Sequence, residues 1–255
     1  MLETLITQNL YSLYVFMGTV LPLEYRLEIG DQFSFIRSET SGWPDFVFDI
    51  DLKNETERTI ERIKAGIEKD NLPPFLVINK VIGRERVEKI LESSGFRLSM
   101  EWSGMAVEIN GKYELFEDKN LEIRQVVTDK ELDQWFDIVN YELFPYRKFE
   151  ENIFKILSQG DKIKLFLAFD NGIPAGTLML FTSSGISGIY MVAVNEENRK
   201  KGIGTVLTKH ALNVVYEDGY GICVLQSTDV AKKMYLNCGF REYSVFDIFW
   251  KVGKF

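Results

Sequence analysis

The spacing of apolar positions changes period several times along this chain, and each change marks an element. Residues 1–22 read as a helix ending before Pro22. Apolar runs at Gln32–Ile36 and Phe46–Ile50 predict strands, split by the turn-rich Glu39–Pro44. Ile60, Ile63 and Ile67 share one face of a charged helix, Thr56–Lys69, which Asn71-Leu72-Pro73-Pro74 breaks. Phe75–Ile78 predicts a short buried strand. Arg84–Ser94 predicts a helix with Val87, Ile90 and Leu91 inward, closed by Gly95 and Phe96. Trp102–Ile109 reads as a strand, Asn110-Gly111 as a turn, and Lys112–Asn120 as a polar segment that divides the chain into halves, 1–118 and 119–255.

The second half alternates in the same way. Leu121–Val127 predicts a strand, Asp129–Tyr141 a helix, 144–146 a loop, and Glu150–Ser158 a short helix closed by Gly160. Lys162–Phe169 and Ile173–Phe181 predict a hairpin around Asp170-Asn171-Gly172. The apolar run Ile189–Val194 then turns through Asn195–Asn198 into Arg199-Lys200-Lys201-Gly202-Ile203-Gly204. Ile203, Val206, Leu207, Ala211, Val214 and Val215 form the stripe of the helix that follows. Ile222–Gln226 predicts a buried strand, Asp229–Asn237 a helix, and Tyr243–Val252 one long or two short strands.

Strand, basic glycine loop, helix is an order with chemical consequences. The first four N–H groups of a helix lack partners inside it, and the peptide dipoles add partial positive charge there. Gly202 and Gly204 have no Cβ, so a phosphate can approach the backbone; Arg199, Lys200 and Lys201 add charge beside it. The spacing is not that of a Walker loop. It is not a dinucleotide fingerprint either, because Leu207 stands where a third glycine would be.

Composition narrows the classes. Of 255 residues, 45% are hydrophobic and 13% aromatic, enough for a core and against disorder. Cys223 and Cys238 suit neither a disulfide framework nor a metal site and read as buried thiols. No apolar run of membrane-spanning length occurs. Leu10–Leu23 is apolar, but Glu3 and the absence of Lys or Arg before it argue against an export signal, so a cytoplasmic protein is expected. Residues 1–120 carry a net charge of −7 and residues 121–255 of −1, so neither half offers a basic face for nucleic acid.

Arg-x-x-Gly-x-Gly at Arg199–Gly204, after a strand ending Val192-Ala193-Val194, resembles the acyl-CoA loop of the GNAT superfamily of N-acetyltransferases. A second stretch is similar to the family's last helix: Ala231, Tyr235, Gly239 and Phe240 match its Asn-x-x-Ala-x-x-x-Tyr and Gly-Phe, with Thr228 in place of the usual Asn or Ser. The resemblance covers about residues 120–255. It implies an α/β fold of the α+β type, one mixed sheet with helices on both faces, and acetyl-CoA as acyl-donor cosubstrate with no metal. Val192, Ala193, Val194, Arg199, Lys200, Lys201, Gly202, Ile203, Gly204, Thr205 and Thr228 would hold acetyl-CoA, and Tyr235 would be catalytic. The implied reaction passes an acetyl group to a primary amine of a small molecule or peptide by direct attack, with backbone N–H groups near Val192–Val194 meeting the oxyanion.

Tyr235 would protonate or hydrogen-bond the departing thiolate. With reference pKa values of about 8.5 for a thiol and about 10 for tyrosine, full transfer is uphill by about 2 kcal/mol. Glu142, Glu196 and Glu197 are candidate bases, none fixed by spacing, and His210 reads as a helix-surface residue. Lys89–Arg97 aligns with Lys233–Arg241, sharing Lys, Gly, Phe and Arg, so the first half resembles a degenerate second GNAT-like domain. Leu91 stands in the place of Tyr235 and no Arg-x-x-Gly-x-Gly precedes it, so no chemistry is expected there. Two other readings share these features: a non-catalytic acyl-CoA sensor or scaffold, and an aminoacyl transferase of the tandem-GNAT type. The retained Tyr235 argues against the first, and the near-neutral second half with its intact loop against the second.

Overall fold

The computed structural model describes residues 1–38, 43–79, 84–115, 120–145 and 151–254. In chain order the elements of the first half are α1 (Leu2–Val20), β1 (Tyr25–Glu28), β2 (Ser34–Ser38), β3 (Phe46–Phe48), α2 (Thr56–Glu68), β4 (Phe75–Asn79), α3 (Arg84–Ser93) and β5 (Phe96–Glu108). Then come β6 (Leu121–Gln125), α4 (Asp129–Glu142), α5 (Glu151–Leu157), β7 (Ile163–Asp170), β8 (Ile173–Ser183) and β9 (Ile186–Val194). A 3₁₀ turn at Glu196–Asn198, α6 (Ile203–Glu217), β10 (Ile222–Ser227), α7 (Asp229–Asn237) and β11 (Arg241–Lys251) complete the chain.

The periodicities find most of these elements. They do not predict β1, where Tyr25 alone of four residues is buried. They start β5 late: Arg97–Glu101 are all exposed, the alternating Leu98 and Met100 included. Tyr243–Val252 resolves to the single strand β11. Residues 39–42 of the expected first turn, Tyr146, Glu150 and the expected division at 118/119 lie outside the described residues.

The chain forms two compact units that interleave in sequence: Met1–Leu13 with Gly104–Tyr243, and Tyr14–Ser103 with Ser244–Phe255. In the first unit the strand order is β10-β9-β8-β7-β6, with β9 and β10 parallel and the other neighbours antiparallel. Phe166, Ala168, Leu178 and Leu180 face Leu207, Ala211 and Leu212 of α6 in one apolar cluster. Their neighbours Leu165, Leu167, Met179 and Phe181 are equally buried and, by strand alternation, point to the opposite face. α4 packs against β7, β8 and β9, and its Trp135 donates from Nε1 to the Leu178 carbonyl at 3.4 Å. A Thr128–Glu131 capping box starts α4.

In the second unit the order is β1-β2-β3-β4-β11, with β3 and β4 parallel and α2 as their crossover. Ile60, Ile63, Ile67 and Leu91 pack with Val47, Leu76 and Phe249 in its core.

Candidate active site

The site grows from an irregularity in β9. Antiparallel pairing with β8 is regular from Gly176↔Val194 to Thr177↔Ala193, then shifts register before Met179↔Tyr190. The extra residue bends the strand, and Met191 takes φ 50°, a left-handed conformation rare outside glycine. The buried Thr177 hydroxyl donates to the Met191 carbonyl at 2.9 Å and holds the bulge.

On its other side β9 parts from β10. Their parallel pairing runs only through Cys223↔Ser187, Val224↔Gly188 and Leu225↔Ile189, although β10 continues to Ser227. Asn195 donates its N–H to Ala175 at 3.0 Å, and backbone groups alternate along a strand. That alternation spends Ala193 on the β8 ladder and turns the N–H groups of Val192 and Val194 toward the gap left by β10.

A cleft of about 650 Å³ lies at this gap. Val192, Ala193 and Val194 form one wall; Lys200, Gly202, Ile203, Gly204 and Thr205 form the second; Thr228, Ala231, Met234 and Tyr235 form the third. Of the residues expected to hold acetyl-CoA, only Lys201 is not among those lining it.

Loop conformation explains the glycine pattern. Gly202 is the N-cap of α6 at φ 83°, with open space where a Cβ would stand. The first helical bond runs from Val206 N–H to the Gly202 carbonyl at 3.1 Å. The N–H groups of Ile203, Gly204 and Thr205 therefore have no partner within the helix, and no side chain caps it. Gly204 has a packing role beside the phosphate approach expected of it. A Cβ there would stand 2.7 Å from Met234 Sδ, so its glycine lets α6 and α7 pack closely.

The three basic residues divide their work. Arg199 pairs with Glu142, whose side chain is only 6% exposed, and donates from Nε to the Val194 carbonyl at 3.2 Å. Glu142 also accepts the N–H of Glu196 at 3.1 Å, so it staples the loop to the end of α4. Lys201 donates to Asp170 at 2.9 Å; that ion pair comes first among the contacts that hold the Asp170 carboxyl below the usual carboxylate range. Lys200, exposed at φ 64°, has no such ion pair among the described residues. Glu196 and Glu197 are exposed in the 3₁₀ turn and are not among the cleft residues. His210 is half-buried, 5.3 Å from the Phe166 ring, with its pKa lowered by burial, and it is not among the cleft residues.

Tyr235 is 5% exposed, its ring set edge-on to Phe240 at 5.8 Å. Its hydroxyl forms no hydrogen bond among the described residues. Burial, first among the causes, raises its pKa above the usual tyrosine value, so the group stays protonated at neutral pH. Thr228 is the N-cap of α7 in extended conformation, but its side chain makes no cap bond. Its hydroxyl is left for other partners.

Sequence reasoning missed Thr177, Glu142's staple and Met234. Thr177, a hydroxyl inside the apolar run of β8, was the one readable signal among them; a partner 57 residues away, as for Glu142 and Arg199, leaves none.

A split parallel strand pair, a bulge and an uncapped glycine-led helix meet at one cleft in the carboxy-terminal part of the chain. A family model described as the acetyltransferase (GNAT) family matches residues 123–240. Among solved structures, a GCN5-related N-acetyltransferase from Kribbella flavida is similar at TM-score 0.70 and 14% identity, covering 95% of each chain. Another from Sphaerobacter thermophilus gives 0.67 and 15%, covering 91% of this chain and 84% of the other. A tandem GNAT protein from the clavulanic acid biosynthesis pathway gives 0.57 and 12%, covering 89% and 82%. At these identities the likeness is one of fold, and it takes in the amino-terminal half as well as the matched domain. No curated protein matches this chain. Among the described residues no group of side chains could hold a metal ion, and no helix is long and apolar enough to cross a membrane.

Proposed function

We propose that this chain is an acyl-CoA-dependent N-acyltransferase that passes an acetyl group from acetyl-CoA to a primary amine by direct attack. The observation that carries the reading is the parting of β9 from β10 beside the bulge. It leaves the Val192 and Val194 N–H groups facing a cleft that also holds Tyr235 and the uncapped start of α6. The diphosphate of CoA suits the free N–H groups of Ile203, Gly204 and Thr205, with Lys200 as the mobile cation and Gly202 providing open space. Thr228, with its hydroxyl uncommitted to the cap, suits a pantetheine amide.

In this reading the neutral amine attacks the thioester carbonyl. Charge develops on the carbonyl oxygen, where the Val192 and Val194 N–H groups stabilise it. The C–S bond then breaks, the sulfur leaves as thiolate toward the Tyr235 hydroxyl, and the attacking nitrogen gives its extra proton to water, leaving the neutral amide. Because burial raises the Tyr235 pKa, full proton transfer to the thiolate is more uphill than the reference values imply, so Tyr235 acts as a hydrogen-bond donor to the leaving sulfur. Arg199 and Lys201 are tied to carboxylates and shape the loop more than they bind the donor.

The test is calorimetry with acetyl-CoA, CoA, ATP and NAD, followed by acetyl transfer to a panel of amines. CoA binding with transfer to an amine is expected. Binding of ATP or NAD with no CoA binding sinks the reading, and CoA binding with no transfer to any amine leaves a sensor.

A further inference from the structure

The amino-terminal helix reaches β9 through a buried amide. Asn9 of α1 is 2% exposed and donates from Nδ2 to the Ile186 carbonyl at 3.1 Å. Its Oδ1 accepts the Tyr190 hydroxyl at 2.7 Å. Gly188 lies between the two contacts, and a Cβ built there would stand 2.0 Å from Asn9 Oδ1 and 2.6 Å from Tyr190 Cε2. A strand interior favours residues with side chains to pack, and β9 gives up one at this position to admit the amide. Asn9 also lies outside the 123–240 match, yet it belongs to the same compact unit.

The placement of this contact is what matters. Tyr190 immediately precedes Met191, whose left-handed φ of 50° makes the bulge, and Val192 follows. The bulge is held on its β8 side by the Thr177 hydroxyl, and β10 has already parted from β9 at Ile189. Over the sheet face to which Gly188 and Tyr190 point, the Asn9–Tyr190 hydrogen bond ties α1 to β9 one residue ahead of Met191.

We propose that Asn9 and Tyr190 are positioning residues: their buried amide–phenol bond fixes β9 just ahead of the bulge and so sets where the Val192 and Val194 N–H groups stand. The role assigned to those groups rests on the acyltransfer reading above. Neither side chain touches the reacting atoms. They act through the backbone, so their loss falls on the transition state and leaves donor binding at the α6 end of the cleft intact.

Tyr190→Phe, Asn9→Leu and the double variant test this. Asn9→Leu leaves the buried phenol without its acceptor, whereas the double variant replaces both partners by apolar groups, which restores stability when a pair is merely structural. Expected results are lower stability in Asn9→Leu, partial recovery in the double variant, where the Ile186 carbonyl still lacks the Asn9 amide, and a kcat that stays about tenfold down in Tyr190→Phe and in the double variant. KM for acetyl-CoA stays unchanged, and amide hydrogen exchange at Val192–Val194 speeds up. If Asn9→Leu does not fold, Tyr190→Phe carries the test. A folded double variant with wild-type kcat and wild-type exchange overturns the proposal. A wild-type chain that acylates no amine overturns the acyltransfer reading instead, and exchange at Val192–Val194 then decides the coupling without turnover.

Discussion

The crossovers β3–α2–β4 and β9–α6–β10 each join two parallel strands through a helix, and they treat the start of that helix in opposite ways. Before α2 the residues in left-handed conformation are Asp49, at φ 50°, and Glu55, at φ 49°, and Glu57 lies in the first turn. Asp51 accepts the Lys53 N–H at 2.9 Å, the chief reason its carboxyl is held below the usual carboxylate range. Glu57 pairs with Arg86 at 2.8 Å, which lowers its pKa in the same way. Before α6 the left-handed residues are Lys200 and Gly202, and the first turn has no acid. A carboxylate at a helix start is worth about 0.3–1 kcal/mol to the helix. The first unit forgoes that stabilisation at α6, and in the proposed acyl-CoA reading a diphosphate would supply the missing anion.

The helices that follow repeat the contrast. α3 and α7 both end at a glycine with positive φ, Gly95 at 82° and Gly239 at 92°, followed by a buried phenylalanine, Phe96 or Phe240. One turn earlier Leu91 is fully buried in apolar packing, whereas Tyr235 lines a cleft. The sharpest way to break the comparison is to change both. Tyr235→Phe keeps the ring and removes the hydroxyl, so kcat is expected to fall about 100-fold with donor KM little changed. Leu91→Ala is expected to cost about 2–5 kcal/mol of stability and to leave kcat of the folded protein unaltered. Steady-state kinetics and denaturant unfolding separate the two. Wild-type turnover in Tyr235→Phe would make it a core residue like Leu91.

A middle-sized effect is expected at the loop. Gly202→Val forces a β-branched residue to φ 83° in open space, so the fold persists while the first turn of α6 shifts. CoA affinity should drop about tenfold, as expected for displaced backbone donors. Lys200→Ala should weaken binding by about threefold, an effect that fades as salt rises. Lys201→Ala should leave affinity unchanged, because Asp170 already holds that ammonium. Calorimetry at two salt concentrations checks all three, and equal losses at Lys200 and Lys201 would erase the distinction between a ligand-facing and a structural cation.

Local order was legible in the sequence, and long-range pairing was not. The stripe Ile203–Val215, the hairpin at Asp170–Gly172 and the two glycine stops are written within single windows of residues. Those windows were enough to name the loop, the helix and Tyr235. The bulge at Met191 depends on register with β8, and register leaves no mark in β9 alone. Glu142 with Arg199 and Asn9 with Tyr190 join residues far apart in the chain. The interleaving of the units has the same cause. β5 begins in one unit and ends in the other, as β11 does in reverse, so no change of composition marks either passage.

The smallest expected effect concerns pH and sets Tyr235 apart from an exposed tyrosine. Burial raises the Tyr235 pKa in the fold, while the unfolded chain keeps a value of about 10. Below about pH 10 both states carry the proton, and the packing of the neutral ring contributes fully. As pH rises past that value the unfolded state ionises first. It then binds fewer protons than the native state, so stability is lost progressively up to the folded pKa. Tyr190, buried in the same unit with its pKa also raised, adds to the slope in every variant and does not obscure the difference. Tyr235→Phe removes one such group, so its stability should fall less steeply than wild type between about pH 9 and 11. Turnover obeys the same sign. The hydroxyl keeps its proton to higher pH than an exposed phenol would, so kcat with a fully neutral amine should stay flat through about pH 10. A kcat that halves near pH 9, together with identical unfolding slopes, would mean that Tyr235 ionises in reach of solvent and that burial does not protect the donor.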